Sequence, residues 1–202
     1  MNYKNTYYCL RHGRSTANEQ HIIVSRPENG VPGYGLSPTG RADTLTKLDA
    51  KHFAGRGFTP ENTVCYSSDF SRAFQTAEIF CEQLGLAAPI VDIRLRERSF
   101  GKFELESADN YERVWERDLE DAHHNFNEAE STAAVRARLE DFLSEVENTH
   151  AGKHIVCVSH GDPSQIFQTI FADLPANGHR SLPHLENAEL RPLGGPEFPA
   201  GE

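Results

Sequence analysis

The chain has 202 residues and a formal net charge of -10 at pH 7. A chain of this length fits one domain that is large enough to bury a core. The acidic balance argues against nucleic acid or an anionic membrane surface as the main partner, so any anion site must be a local basic pocket. No run of about 20 apolar residues is present, so the sequence predicts no membrane-spanning helix.

The N-terminal residues and the cysteines both predict a cytoplasmic protein. The first residues lack the basic and apolar regions of a secretory signal peptide. Each cysteine lies in an apolar strand or helix pattern and none belongs to a Cys-x-x-Cys pair, which indicates reduced thiols in the core. The cysteines are Cys9, Cys65, Cys81 and Cys157.

The first predicted strand ends in a motif that brings a cation and an imidazole to one edge of a sheet. Strand-forming residues from Tyr7 to Leu10 are followed at once by Arg11-His12-Gly13. In an open α/β sheet, ligands bind at the carboxyl edge of the strands. An arginine beside a histidine is unfavourable in a buried position unless an anion lies between them. On its own, however, such a pair is more often a surface turn than an active site.

Residues 19–36 are predicted to form a long polar loop, which a helix follows. Loops of this length in compact domains are usually functional or mobile, so this one is either a wall or lid of the pocket or a solvated connector. Ser37 as N-cap and Pro38 at the first helical position predict a helix that runs to about Lys51. Its predicted core-facing residues are Ala42, Leu45, Leu48 and Phe53.

A second strand is predicted over residues 63–66, followed by an amphipathic helix from Phe70 to Leu84 that Gly85 terminates. Arg72 is the unusual residue of this helix, because a cation in the first turn opposes the helix dipole. Either its side chain is exposed, or it joins the free N–H groups of the helix end in an anion site.

The middle of the chain is predicted to contain a short strand, a charged loop and two packing helices. The strand covers residues 89–93, and the loop, residues 94–104, holds Glu97. By composition alone, Glu97 is equally explained by an ion pair with a neighbouring arginine. The first helix, residues 108–122, packs through Tyr111, Val114, Trp115 and Leu119. The second, residues 131–149, has Ser131 as N-cap and packs through Val135, Leu139, Phe142, Leu143 and Val146.

His123-His124, between the two helices, predicts no metal site. Adjacent side chains point apart, and no third ligand is near in the sequence. The sequence contains no P-loop and no carboxylate cluster that would bind magnesium. We therefore expect no metal and no cofactor.

A strand predicted over residues 154–159 repeats the first motif, because it ends in Ser159-His160-Gly161. Two strands that each end in His-Gly predict two imidazoles that face one pocket. A helix over 162–171 and a last strand around residues 188–190 complete the chain. The alternation of strands and helices predicts a three-layer α/β/α sandwich with a mostly parallel central sheet. We expect one domain over residues 1–193 and a disordered tail over 194–202.

These motifs together resemble the signatures of the histidine phosphatase superfamily, the phosphoglycerate-mutase-like group. The first strand of that family ends in Arg-His-Gly and a later one in Ser-His-Gly. The stretch Ser-Ser-Asp-Phe-Ser-Arg-Ala-Phe-Gln-Thr-Ala, residues 67–77, resembles its second signature, and Leu-x-Glu-x-x-x-Gly, residues 95–101, resembles its proton-donor stretch. Residues 103–105 are Phe-Glu-Leu, where the family often has Trp-Glu-Gly. The resemblance covers residues from about 5 to 193.

The resemblance implies a catalytic role for five residues. His12 would be the nucleophile and Glu97 the proton donor. Arg11, Arg72 and His160 would hold the transferring phosphoryl group. Guanidinium groups match phosphate oxygens, and an imidazole can attack phosphorus to give a phosphohistidine that water then hydrolyses.

Three further residues match positions of the family that touch phosphate or substrate. Ser15 and Asn18 correspond to the polar positions that follow Arg-His-Gly, and Gly161 would contribute its backbone N–H. The expected partner is a small phosphorylated substrate.

Three functions are compatible with these residues. The favoured one is a metal-independent phosphomonoesterase that hydrolyses a small phosphorylated metabolite. The second is a phosphoglycerate mutase, an isomerase that uses the same phosphohistidine. The third is a noncatalytic module that binds a phosphorylated ligand, and the presence of both His12 and Glu97 speaks against it.

The spacing of two residues favours the phosphatase over the mutase. A mutase must keep water from its phosphohistidine, which needs a well-covered pocket. In the mutases that this chain resembles, a long insertion after the proton donor supplies much of that cover. Only 33 residues separate Glu97 from Glu130 here (130 − 97), and one predicted helix uses many of them. Specificity is expected to lie in residues 19–36 and 105–130.

Overall fold

The computed structural model describes residues 3–196 and is built on a five-stranded sheet with the order β3-β2-β4-β1-β5. The last strand is antiparallel to β1, and the other neighbours are parallel. The predicted α/β architecture with a mostly parallel sheet is confirmed. The strands are β1 (Thr6–Arg11), β2 (Thr63–Ser67), β3 (Ile90–Val91), β4 (His154–Ser159) and β5 (Leu190–Gly194).

Seven α-helical segments lie within the described residues. Two are short and follow β1, and the other five are longer helices that contribute to the packed core. They are α1 (Thr16–Gln20), α2 (Pro27–Gly30), α3 (Pro38–Lys47), α4 (Ser71–Leu84), α5 (Asn110–Glu120), α6 (Thr132–Thr149) and α7 (Gly161–Phe171).

The central strands are buried on both faces because successive side chains point to opposite sides of a sheet. Tyr7 packs in a cluster with Phe142 of α6 and Ile166 of α7. Its neighbour Tyr8 packs on the other face, in a cluster that includes Phe80 of α4. A strand covered on both faces reads as an almost continuous apolar run, which is the pattern that predicted β1 and β4.

The register of the sheet brings the two His-Gly motifs together. In the parallel pair β1–β4, Arg11 lies opposite Ser159. The next residues, His12 and His160, therefore leave the sheet at the same level of its carboxyl edge. The neighbouring pair β2–β4 places Ser67 opposite Val158, so the start of α4 reaches the same edge.

Helix α3 begins as predicted but packs through different residues. The Ser37 hydroxyl accepts the N–H of Gly40 at 3.0 Å, which makes Ser37 the N-cap. The helix ends at Lys47, four residues earlier than predicted. Ala42 and Leu45 are exposed, contrary to prediction, while Thr44 is buried and Leu48 and Phe53 pack in the core as predicted. The close approach of α3 to β1 explains the difference, because a Cβ on Gly13 would lie 2.0 Å from Thr44 Oγ1.

Residues 19–36 are not the unbroken loop that was predicted, because they contain the end of α1 and all of α2. The carboxylate of Glu104 fixes this segment from the far side. It accepts hydrogen bonds from the backbone N–H groups of Ser25 and Arg26, the Ser25 hydroxyl and the Asn29 side chain, at 2.7 to 3.1 Å. The segment is therefore a fixed part of the fold, and sequence-local signals could not show a carboxylate that comes from so far along the chain.

The two middle helices and the last strand follow the prediction with local differences. Ser131 caps α6 by accepting the N–H of Ala134 at 3.1 Å, and the five packing residues predicted for α6 are buried. Leu119 of α5 is 67% exposed, so its predicted packing role is wrong. The last strand, β5, starts two residues later than predicted. Gly194 belongs to β5 and not to a tail, while residues 197–202 of the predicted tail lie outside the described residues.

The four cysteines are buried and free, as predicted for core thiols. Among residues 3–196, no helix is long and apolar enough to cross a membrane.

Candidate active site

A cavity of about 190 Å³ opens at the carboxyl edge of the sheet, where both His-Gly motifs leave it. Ligand sites for drug-sized molecules measure about 300–1,000 Å³, so this cavity suits a smaller ligand. Its walls come from the segment after β1, the starts of α4 and α7, the Glu97 loop, α5 and the segment before β5. The lining residues are Arg11, His12, Ser15, Ala17, Asn18, Ile22, Val24, Arg72, Glu97, Phe100, Tyr111, Trp115, Gly161, Asp162 and His184.

His12 presents one defined ring nitrogen to its surroundings. Its Nδ1 lies 2.7 Å from the carbonyl oxygen of Gly13. A carbonyl can only accept, so Nδ1 carries the proton and Nε2 carries the lone pair. Burial, followed by the nearby charges of Arg72 and Arg11, lowers the pKa of His12 well below its usual value. The imidazole is therefore neutral near pH 7, which is the state in which Nε2 is a nucleophile.

Arg72 is buried beside His12, so the exposed alternative for this residue is wrong. Its Nε donates to His12 Nε2 at 3.1 Å, and its Nη2 donates to the carbonyl of Val24 at 2.9 Å. The guanidinium also lies over the ring of Phe70, 5.1 Å from its centroid. These contacts explain why a cation occupies the first turn of α4 despite the helix dipole.

Arg11 approaches the cavity from the end of β1. Its Nη1 donates to His184 Nε2 and to the carbonyl of Leu185, both at 2.7 Å. Because His184 Nε2 accepts this hydrogen bond, the ring is neutral, and burial together with Arg11 lowers its pKa. The segment before β5 thus holds Arg11 in place.

His160 is fully buried, and its ring centroid lies 5.1 Å from that of His12. Its Nε2 lies 2.9 Å from the hydroxyl of Ser68, which already accepts the N–H of Phe70 at 3.3 Å. When the Ser68 hydroxyl donates to Nε2, His160 Nδ1 carries the proton of the neutral ring. Burial, followed by Arg72, lowers the pKa of His160 well below its usual value.

Three buried donors beside His12 lack a protein partner; Arg11 and Arg72 line the cavity, whereas His160 lies behind its lining. Within residues 3–196, Arg11 Nε, Arg72 Nη1 and His160 Nδ1 form no hydrogen bond. A buried unpaired donor is costly, so such groups in a native structure mark a place where a ligand or ion supplies the acceptor. A phosphoryl group offers several acceptor oxygens to the two guanidinium groups and the imidazole. We call the part of the cavity beside these donors the phosphate end.

Glu97 lies beside the phosphate end and is 9% exposed. Its Oε2 is 3.9 Å from both Arg72 Nη2 and His160 Nδ1, while its Oε1 accepts the N–H of Arg98 at 2.9 Å. Burial raises the pKa of Glu97 to about 7; the charge of Arg72 opposes this shift and that of Asp162 adds to it. A carboxyl with a pKa near 7 is half protonated at neutral pH, so it can donate a proton there.

The three additional predicted binding residues all line the cavity, but two have a structural role as well. Ser15 caps α1 by accepting the N–H of Asn18 at 3.2 Å, and Asn18 Oδ1 accepts from Ser15 N and Oγ at 3.0 Å. This capping box holds the chain immediately after the Arg-His-Gly motif. Gly161 is the first residue of α7, where backbone N–H groups have no partner within the helix.

Sequence reasoning did not identify the lining residues Tyr111, Trp115, Asp162 and His184; His184 contacts Arg11, and the other three lie together. Tyr111 and Trp115 were interpreted as packing residues of α5, and their rings stack with 7° between planes and 5.4 Å between centroids. Asp162 directly follows the second His-Gly motif, and this position was the signal that could have found it. We call the part formed by Tyr111, Trp115 and Asp162 the leaving-group end.

The carboxylates of the cavity are not arranged to bind a metal ion. Of the two that line it, Asp162 is already paired with Arg98, and Glu97 faces Arg72 and His160. Among residues 3–196, no group of three or more His, Cys, Asp or Glu side chains is placed to hold a metal. His124, from the pair between α5 and α6, instead lies 2.7 Å from Asp118.

The chain is similar in sequence to one known protein and in fold to several solved structures. It is 29% identical over 190 residues to the protein named "Putative phosphoserine phosphatase 2" of Hydrogenobacter thermophilus, with 91% of this chain and 86% of that protein covered. The fold is similar to a mycobacterial glucosyl-3-phosphoglycerate phosphatase in complex with VO3 (TM-score 0.74, 24% identity, 92% and 90% of the two chains). It is also similar to YhfR of Bacillus stearothermophilus (TM-score 0.72, 24% identity, 92% and 89%).

A family model also matches nearly the whole chain. Residues 7–195 match the histidine phosphatase superfamily, branch 1, and this range contains both His-Gly motifs, Arg72 and Glu97. The chain therefore belongs to the histidine phosphatase superfamily (branch 1).

Proposed function

We propose that this phosphatase hydrolyses a small phosphomonoester through a phosphohistidine on His12 Nε2, with the protein itself neutralising the phosphate charge. The single observation that carries the proposal is the phosphate end. Three buried nitrogens without partners belong to Arg11, Arg72 and His160, the residues next to the neutral imidazole of His12, and they can bind the oxygens of a phosphoryl group that His12 Nε2 attacks.

In the first half of the reaction, His12 Nε2 forms a bond to phosphorus as the bond to the ester oxygen breaks. Arg72 Nε must exchange its hydrogen bond to Nε2 for one to a phosphoryl oxygen, which frees the lone pair. Arg11, Arg72 and His160 then bind the equatorial oxygens, where negative charge is spread in the transition state. The proton of Glu97 passes to the leaving alkoxide.

In the second half, water attacks the phosphohistidine. Glu97 is now ionised and accepts a proton from the water, so it returns to its protonated state. Phosphate leaves, and His12 is again neutral. Each group therefore ends the cycle as it began, and no external proton store is needed.

The small cavity and the short segment after Glu97 support water as the acceptor over a second phosphorylated position. Residues 101–109 contain one 3₁₀ turn and Glu104, whose carboxylate binds Ser25, and α5 begins directly after them. This segment is too short to form an additional cover over the cavity. The names of the relatives, which include a phosphoserine and a glucosyl-3-phosphoglycerate phosphatase, also support hydrolysis. The substrate class that we propose is a phosphomonoester of a small metabolite.

The first test is turnover of p-nitrophenyl phosphate and a panel of phosphorylated metabolites in EDTA. In the second, the enzyme reacts with a substrate that is labelled in its phosphate group, and the reaction is quenched rapidly without acid to preserve the phosphoenzyme. We expect activity in EDTA and a phosphoenzyme that is stable to alkali, labile to acid and mapped to His12. Activity that disappears in EDTA and returns with a divalent ion would contradict the proposal, and so would a label on another residue.

A further assay separates the phosphatase from the mutase. The enzyme is given 3-phosphoglycerate with catalytic 2,3-bisphosphoglycerate, and both 2-phosphoglycerate and free phosphate are followed. We expect phosphate release to dominate. Isomerisation much faster than phosphate release would identify a mutase.

A further inference from the structure

The leaving-group end carries a buried carboxylate that has no direct role in the proposed phosphoryl transfer, although its charge adds to the raised pKa of Glu97. Asp162 is 4% exposed and lines the cavity next to Gly161. Its two oxygens each lie 3.1 Å from Trp115 Nε1, and Oδ2 also accepts from Arg98 Nη1 at 3.2 Å. Together the two oxygens of a carboxylate can accept about four hydrogen bonds, so Asp162 retains acceptor capacity.

The cation nearest Asp162 is shared with a second carboxylate. Arg98 binds Asp118 more closely than Asp162: each Nη atom of Arg98 donates to one carboxylate oxygen of Asp118 at 2.7 Å. Arg180 is 3.8 Å from Asp162 Oδ1, but it lies over the Trp115 ring, donates to Gln165 and is partly exposed to water. Arg98 and Trp115 therefore hold the Asp162 carboxylate in position and leave it able to accept from a ligand.

The cations that line the cavity are committed to its phosphate end. Arg11 and Arg72 are the arginines among the lining residues, and both direct an unpartnered nitrogen there. At the leaving-group end, the lining residues are the Tyr111–Trp115 stack and Asp162. An anionic leaving group would meet this carboxylate and the rings, because the nearest cations, Arg98 and Arg180, are not among the lining residues and are engaged with Asp118, Asp162 and Gln165.

We propose that Asp162 is a specificity-determining residue that selects leaving groups bearing a hydrogen-bond donor, an ammonium or hydroxyl group, and disfavours leaving groups bearing a carboxylate or second phosphate. A donor from the substrate binds an acceptor that is already desolvated and fixed, whereas an anion is repelled there. The proposal rests on the proposed function, because it describes the alcohol that leaves when the phosphoryl group moves to His12.

The experiment uses short phosphomonoesters that differ only in the group farthest from phosphorus. Phosphoethanolamine carries an ammonium group, ethylene glycol monophosphate a hydroxyl, ethyl phosphate neither, and 2-phosphoglycolate a carboxylate. The measured quantity is kcat/KM for each, and p-nitrophenyl phosphate reports the chemistry of the phosphate end. We expect the first two to exceed ethyl phosphate by about tenfold or more and 2-phosphoglycolate to fall below it.

The variant Asp162→Asn should reduce this discrimination by about tenfold, mainly through KM, because the charge is lost and the shape is kept. Inhibition by inorganic phosphate checks that the phosphate end of the variant is intact. The matched control is Asp118→Asn, which disturbs the same Arg98 but does not line the cavity, so it should keep the order of substrates.

The possible results distinguish failure of the proposed role of Asp162 from failure of the proposed phosphatase function. Turnover of p-nitrophenyl phosphate by the native enzyme with 2-phosphoglycolate as the best alkyl substrate would overturn the role of Asp162 and leave the phosphatase intact. The same holds if Asp118→Asn shifts the order of substrates as much as Asp162→Asn does. Absence of turnover with all five compounds would overturn the proposed function and this inference with it.

Discussion

The two ends of the cavity are built in different ways. The phosphate end comes mainly from Arg11, His12 and His160, which lie at the ends of two adjacent parallel strands in matching register. The leaving-group end comes from one face of α5 and from Asp162, whose position depends on a buried ion pair with Arg98. The first is fixed by short motifs at strand ends, and the second by side chains that meet through packing. The residues with proposed catalytic roles are therefore mostly marked by local motifs, whereas those proposed to select the substrate meet through tertiary contacts.

The largest expected effect is loss of the nucleophile at the phosphate end. His12→Ala removes the covalent route, so kcat should fall on the order of 10³-fold or more for every phosphomonoester. Steady-state assays with p-nitrophenyl phosphate measure this. The control is His123→Ala, which removes an exposed histidine far along the chain and should leave kcat unchanged. A His12→Ala rate within tenfold of the native enzyme would contradict the assignment.

The next largest effect is expected for Glu97, the proposed proton donor beside the phosphate end. Glu97→Gln should lower kcat by about 10²–10⁴-fold with alkyl phosphates, because an alkoxide needs a proton to leave. The loss should be much smaller with p-nitrophenyl phosphate, whose phenolate leaves unprotonated. Glu78→Gln, on the exposed side of α4, is the matched control. Equal losses with both substrates would make Glu97 a structural residue.

The pH dependence sharpens this assignment. In its proposed role as an acid, Glu97 acts only when protonated, and its pKa is raised to about 7. Above that pH, kcat/KM for ethyl phosphate should fall about tenfold per unit. In Glu97→Gln this fall should disappear, while the ionisation of the substrate itself is the same in both enzymes. A fall of the same size in the variant would assign the titration to another group.

The smallest effect concerns the wall that Glu104 fixes. Glu104→Gln weakens the hydrogen bonds to Ser25 and Arg26, so the free energy of unfolding should drop by about 1–3 kcal/mol. Because the adjacent Val24 carbonyl orients Arg72, KM should rise a few-fold for all substrates alike, without a change in their order. Urea denaturation and kinetics measure these, with the exposed Glu106→Gln as control. An unchanged unfolding free energy would contradict the role of Glu104.

The comparison also explains which parts of the sequence prediction succeeded. β1 and β4 were predictable because strands buried on both faces are apolar runs, and α6 because Ser131 caps a regular stripe from Val135 to Val146. The inward face of α3 was not predictable, since Leu45 has the apolar character of a core residue but is 38% exposed. Close contact between Gly13 and Thr44 decides how this helix rotates on the sheet.

The candidate site divides in the same way. Arg11, His12, Arg72, Glu97 and His160 were each found from a local pattern or from the family resemblance, and they meet at one sheet edge because parallel strands end together. Their catalytic roles stay predictions. What no local pattern contains is the environment: Arg72 Nε on His12, the Ser68 hydroxyl on His160, and the burial that raises the pKa of Glu97.

By itself, the sequence determined the strand-end motifs, the helix caps and the alternation that makes a parallel sheet, because each depends on residues within a few positions of one another. Tertiary structure alone decided that Glu104 fixes Ser25 and that Arg98 holds Asp162, pairs separated by 79 and 64 residues. No local sequence pattern indicates which of these distant side chains will meet. The raised pKa of Glu97 likewise depends on its burial and on the charges of Arg72 and Asp162, which the fold brings to it.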